Sequence, residues 1–363
     1  MAQQVKKEHP HPYKSLPEKA FWRRSVAGVK PSKVDPVGEF NVRISTDTKV
    51  ATAGSCFAQH IARHLKQSGY CYYVAEAGHP ILPAQARARQ NYGLFSCRYG
   101  NIYTARQLRQ LIERAYGRFD PVEKPWKKAQ GVFLDPFRPT SQPGGFISAE
   151  EMLADRSQHL AAVRRMFETL DVFVFTLGLT ECWRSKEDGA VFPVCPGVEG
   201  GTFDPKKYEF YNQSVEEVIE DLTAFRAALS AVNPQAQIIL TVSPVPLVAT
   251  AQPGEHVLSA TTYSKSVLRV AAEAMRRGFD NVHYFPSYEI ISGAFNRGVY
   301  YADDLRNVVE EGVGHVMRLF LAHATGGAGA AAAEGPSAVE EDEHLGLARQ
   351  LIQVECDEIA LDR

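Results

Sequence analysis

The sequence predicts an α/β fold of the doubly wound kind, a parallel sheet with helices on both faces. Three observations predict it. Short apolar runs alternate with longer helical patterns along most of the 363 residues. The runs are apolar almost throughout, so both faces of their sheet are covered. The clearest of them stop at glycine or proline.

In chain order, KVATAGS (49–55) reads as a first buried strand closed by a Gly-Ser turn, and residues 57–68 as the helix behind it. YCYYVAE (70–76) reads as a second strand, and 104–116 and 148–169 as helices. DVFVFTLG (171–178) and QIILTVSP (237–244) are the third and fourth strands. Between them lies a helix over 214–231, where Ser214 and Glu217 form a capping box ahead of Ile219 and Leu222. A helix over 261–277, the strand NVHYFPS (281–287) and a helix over 309–323 complete the series. Residues 77–147 and 182–213 are too long for simple connections and predict lids or a small subdomain. Right-handed crossovers place every strand C-terminus on one edge, where ligands bind in such sheets.

Composition narrows the function classes. Forty Lys and Arg face forty-two Asp and Glu, a net charge of -2, which argues against a general nucleic-acid or membrane binder. No apolar run reaches the roughly 18 residues of a membrane span, and the start MAQQVKKEHPHPYKS has no apolar signal region. The six cysteines are dispersed without a C-x-x-C pair, which predicts a reduced, cytoplasmic protein without a disulfide scaffold or zinc site. No metal or redox cofactor is implied. Residues 1–45 read as an extended arm, with Tyr13, Phe21 and Trp22 as docking points on a body over 46–324. Residues 325–343 have linker composition. Residues 344–363 read as an acidic helix, packed on the body or binding a partner protein.

Four unusual segments fall at the ligand-binding edge. In Gly54-Ser55-Cys56-Phe57-Ala58, Gly54 permits a sharp turn and Ser55 is a good N-cap. Cys56 then enters the first helical turn, where the helix dipole lowers a thiol pKa and free N–H groups hold an oxyanion. The plainer alternative is that Ser55 only caps and Cys56 is a small buried hydrophobe. Thr176 to Trp183 puts polar Thr180 and Glu181 directly after a wholly apolar strand. Ser243-Pro244-Val245-Pro246 ends the fourth strand, and Tyr301 to Asn307 is a polar loop before the last helix.

Gly54 to Ala58 matches the motif that names the GSCFA family. Gly100-Asn101-Ile102-Tyr103-Thr104, Asp135-Pro136-Phe137-Arg138-Pro139, Thr176 to Trp183, Ser243 to Pro246 and Tyr284 to Glu289 also resemble that family, over about residues 12–322. The resemblance groups the chain with the SGNH/GDSL hydrolases. It implies a flavodoxin-like sheet, which with these runs gives five strands in the order 2-1-3-4-5, and acyl-ester chemistry. Aligned on glycine, Gly54-Ser55-Cys56 places Cys56 at the nucleophile position; a one-residue slip makes it Ser55. Gly100, with Asn101 beside it, resembles the second-block oxyanion glycine. Gly178 and Thr180 occupy the third block, with Thr180 where an oxyanion-holding Asn would stand. The fifth block, Asp-x-x-His, reads Asp304-Leu305-Arg306-Asn307, so the general-base histidine is absent.

His256, beyond the fourth strand, and His60, four residues after Cys56, are the two histidines placed to substitute; His315, well inside the last helix, is too distant. Arg138, Glu181 and Trp183 are candidates for shaping the pocket or binding substrate, with Arg138 equally suited to a structural ion pair. The expected activity is hydrolysis or transfer of an acyl group from a small-molecule or glycan substrate through Cys56 or Ser55. The competing expectation is a binding module that has lost its base.

Overall fold

A computed structural model describes residues 11–55, 57–128 and 131–326. The elements run in the order β1 (Val50–Gly54), α1 (Phe57–Gln67), α2 (Ala84–Arg89), α3 (Ala105–Ala115), β2 (Trp126–Lys127), β3 (Phe133–Leu134), α4 (Ala149–Thr169), β4 (Val172–Leu177), β5 (Glu181–Ser185), β6 (Val191–Phe192), β7 (Tyr208–Asn212), α5 (Val215–Val232), β8 (Gln237–Val242), α6 (Val257–Gly278), β9 (Val282–Tyr284), α7 (Ser287–Ser292) and α8 (Glu310–Ala324).

The central sheet is parallel, in the order β1-β4-β8-β9, with Gly54, Thr176 and Thr241 in one register row. Phe173, Phe175 and Leu177 pack on one face, against α3, α4, α5 and α6 through residues such as Leu108, Phe167, Leu222 and Leu268. Val172 and Val174 point the other way, toward Phe57 and Ile61 of α1, Ile290 of α7 and Val316 and Phe320 of α8. Cover on both faces explains why the strands carry no polar alternation.

The sheet has four strands, not five. YCYYVAE is reduced to a single parallel bridge, Tyr72 to Val50, on the outer side of β1. The ladder starts, with Val50 N–H on Cys71 O and Tyr73 N–H on Val50 O, and then diverts. Thr52 N–H goes instead to the Ser96 side chain, and Ala75 N–H to Ser96 O. The loop carrying Ser96 thus takes the hydrogen bonds that would have extended the fifth strand.

The two long connections do combine. β5, flanked by β6 and β7, forms a three-stranded antiparallel sheet, and β2 pairs with β3. Trp126, Leu134, Phe137, Phe192 and Tyr208 give this subdomain its own small core. The arm docks differently from expectation. Tyr13 and Trp22 are 68% and 69% exposed, whereas Val34, Val37, Phe40, Val42 and Ile44 are buried. Val37, Val42 and Ile44, with Phe40 edge-on to Phe285 and Phe320, enter the α8 side of the core and carry the contact, and Ile44 N–H bonds Ala324 O. The expected linker beyond residue 326 and the helix over 344–363 lie outside the described residues. Among the described residues no helix is long and apolar enough to cross a membrane.

Candidate functional site

The first strand ends on a turn that only glycine fits. Gly54 has φ +133°, and a Cβ there would lie 2.3 Å from Thr176 O. Ser55 continues the ladder, its N–H on Thr176 O at 3.2 Å, while its carbonyl accepts from Ala58 N–H at 2.9 Å and opens α1. Its side chain does not cap the helix as expected. Ser55 is 3% exposed and its Oγ has no hydrogen-bond partner among the described residues. Cys56, the preferred nucleophile, lies outside the described residues.

The loop of residues 100–104 wedges between the ends of β1 and β4. Ile102 N–H donates to Gly54 O at 2.9 Å, and Tyr103 O accepts from both Gly178 N–H and Leu179 N–H at 2.9 and 3.0 Å. The loop enters through Gly100, φ +69°, and leaves through a capping box of Thr104 and Gln107 that starts α3. Asn101 is buried at the β1 side of this wedge.

The hydrogen-bond donors of Gly178 and Thr180 are engaged within the protein. Gly178 N–H is held by Tyr103 O, Thr180 N–H by Ser264 Oγ at 3.0 Å, and Thr180 Oγ1 donates to Asn212 Oδ1 at 2.7 Å. Thr180 therefore fastens β5 to β7, and an oxyanion role requires it to exchange that partner. Lys265, on α6, closes the same corner: it is 1% exposed and its ammonium donates to Gly178 O at 2.7 Å. Sequence reading missed Lys265. The available signal was its spacing, three residues before Leu268 and seven before Ala272 on the buried face of α6.

The loop of residues 301–307 comes to the same edge. Tyr301 OH reaches Pro244 O at 2.9 Å, joining it to the segment after β8. Asp304 accepts from the N–H groups of Arg306 and Asn307 and, in a very short contact, from the Asn307 side-chain amide. Burial alone would raise the Asp304 pKa, but these donors hold it below its ordinary value. Asp304 thus grips residue 307 as it would grip a base.

The histidine substitutes are otherwise occupied. His256 is exposed and caps α6, its Nδ1 accepting from Leu258 N–H. His60 Nδ1 meets Arg63, and burial, reinforced by Arg63, pushes its pKa down to about 4. His315 is locked between Tyr300 OH and Val34 O.

The substrate-binding candidates separate. Arg138 is 2% exposed and ion-paired to Asp135 and Asp155, which is structural work. Trp183 packs edge-on against Phe203 and Phe210 in the small sheet. Glu181 lies nearer the edge; Thr250 Oγ1 donates to it at 2.7 Å, and burial raises its pKa.

Fold and edge together define a parallel α/β protein whose sequence motifs gather beyond the carboxyl ends of its strands. The GSCFA family model matches residues 49–320, and the chain belongs to the GSCFA family. No curated protein matches it.

Proposed function

We propose that the protein transfers an acyl group, through a nucleophile in the Ser55-Cys56 pair, from an ester or thioester to water or to a small-molecule or glycan acceptor. This reading includes kinship with SGNH/GDSL hydrolases. The observation that carries it is the Ser55 hydroxyl, buried without a hydrogen-bond partner among the described residues on a turn held from both sides by β4 and the 100–104 loop. The nucleophile adds to the acyl carbonyl, the bond to the leaving oxygen or sulfur breaks, and the leaving group takes up a proton. Water or the acceptor then attacks the acyl-enzyme and restores the nucleophile.

Asn307 cannot accept a proton near neutral pH, so nothing at the fifth block assists the leaving group. A thiol leaves with less help than an alcohol because its pKa is lower. Thioesters are therefore the favoured donors. The second reading, a binding module on the same fold, is favoured by Asn307 together with the engaged Gly178 and Thr180 donors.

Turnover of a short-chain acyl thioester against its oxygen ester separates the two. The catalytic reading expects thioester turnover, lost in the Cys56→Ala, Ser55→Ala double variant. Equal background rates in wild type and double variant contradict it.

A further inference from the structure

The Asp135 to Pro139 motif takes no part in the proposed chemistry, yet it builds a charged cluster with one wall open. Asp135 accepts from Arg138 Nε at 2.8 Å and from Arg156 Nη2 at 2.7 Å. Asp155 accepts from Arg98 Nη1 at 3.1 Å and from Arg138 Nη2 in a very short contact. Glu76 accepts from Arg98 N–H and meets His159 Nδ1, both at 2.7 Å. Burial would raise the Glu76 carboxyl, but His159 and Arg138 carry it down to about 2, so it is ionised. All three carboxylates are thus engaged by Arg98, Arg138, Arg156 and His159.

One donor of the paired Arg138 and one whole cation, Arg114, are left over. Arg138 Nη1 is buried and has no hydrogen-bond partner among the described residues. Arg114, largely buried on α3, stacks over the Phe137 ring at 3.9 Å and makes no ion pair among the described residues. Burial pushes its pKa down to about 9; Asp135 opposes that shift, and Arg156 and Arg138 deepen it. Asp120 also acts on it, from an exposed position where solvent screens the charge.

Arg114 and Arg138 line one cavity with Tyr99, Gln107, Gln110 and His159. Its volume is about 20 Å³, room for one water-sized particle. In the cluster that includes these two arginines, four arginines meet three carboxylates, and a partly buried cation without a counter-ion is unfavourable.

We propose that this cavity binds one small monovalent anion of halide size, held between the guanidinium groups of Arg114 and Arg138. A volume of about 20 Å³ suits an ion of halide size. The anion completes the charge balance of the interior beneath the 100–104 loop and takes no part in acyl transfer.

The test uses the full chain in sodium bromide and in sodium gluconate at equal ionic strength. Bromide at ten times its dissociation constant should raise Tm by about 2–4 °C. A bromide-containing crystal should show an anomalous peak within hydrogen-bonding reach of Arg138 Nη1 and the Arg114 guanidinium. Arg114→Met should abolish the bromide effect and, in gluconate, match or exceed the wild-type Tm, because the uncompensated charge is gone. A Tm identical in the two salts, or a water in the cavity of the bromide crystal, overturns the proposal. The crystal of the wild-type chain decides the matter even where the variant does not fold.

Discussion

Two neighbouring strand ends, Gly54-Ser55 and Gly178-Leu179-Thr180, begin alike and finish differently. Each follows a wholly buried strand, turns on a glycine and presents a hydroxyl at the same sheet edge. At Gly178 the approach of Tyr103 is so close that a Cβ would sit 3.1 Å from its carbonyl oxygen, and the N–H groups of Gly178, Leu179 and Thr180 are all bonded within the protein. At Ser55 the backbone is equally well fixed, yet the side-chain oxygen has no partner among the described residues. The Gly178 corner is fastened and the Ser55 corner is held ready. Thr176 and Thr241, in the row of Gly54, also carry buried hydroxyls without a partner among the described residues, so Ser55 is set apart by its place on the turn that opens α1 and not by burial alone.

The largest expected effect comes from completing the ready corner. Asn307→His puts an imidazole where Asp304 already grips the side chain. Thioester turnover should rise by about 100–10,000-fold. The rate should climb with pH through an apparent pKa at or above the ordinary His value of about 6.5, since the adjacent carboxylate favours imidazolium. A flat pH profile with unchanged turnover would show that residue 307 does not serve the Ser55 turn.

The next test asks whether His60 belongs to that corner. Its folded pKa of about 4 lies below the ordinary value, so the unfolded chain binds more protons between the two. Its contribution is complete above pH 6.5 and drains as pH falls toward 4, by about 3 kcal/mol. His315, likewise pushed down to about 4, chiefly by burial, adds a loss of the same sign. Denaturant unfolding of His60→Gln should show a shallower loss between pH 7 and 4, with thioester turnover unchanged. Lost turnover would make His60 the missing base.

Smaller effects should divide the two corners by stability alone. Thr180→Val removes the donor to Asn212 and should cost about 1–3 kcal/mol in urea unfolding. Ser55→Ala removes a buried hydroxyl that has no hydrogen-bond partner among the described residues and should leave stability unchanged or raise it by up to about 1–3 kcal/mol. The reverse ranking would mean that the fastened and ready corners have been exchanged.

The sequence carried the fold further than it carried the site. Periodicity places α3, α4, α5 and α8 to within a residue or two; the Ser214–Glu217 box read from the sequence is present, Thr104 and Ser148 cap α3 and α4 as well, and α8 has no side-chain cap. The fifth strand failed because the competitor that diverted it, Ser96, lies more than twenty residues beyond Tyr72. At the site, the Asp304–Asn307 pair was legible as a four-residue motif. The partners of Thr180 and Gly178 were not, since Asn212, Ser264 and Lys265 reach them from other elements. A lysine on a helix pattern reads as solvated surface until a carbonyl is found beside it.

The central claim is that the β1 turn carries the acyl-accepting group. The most direct measurement is acid quench of the wild-type chain after brief exposure to an acyl thioester near neutral pH, followed by peptide mass mapping. One acyl group per chain on the peptide containing Ser55 and Cys56, absent after Cys56→Ala with Ser55→Ala, is the predicted result. No acylated chain, or acyl groups scattered over Cys71 and Cys195 with the 55–56 peptide unmodified, would contradict it.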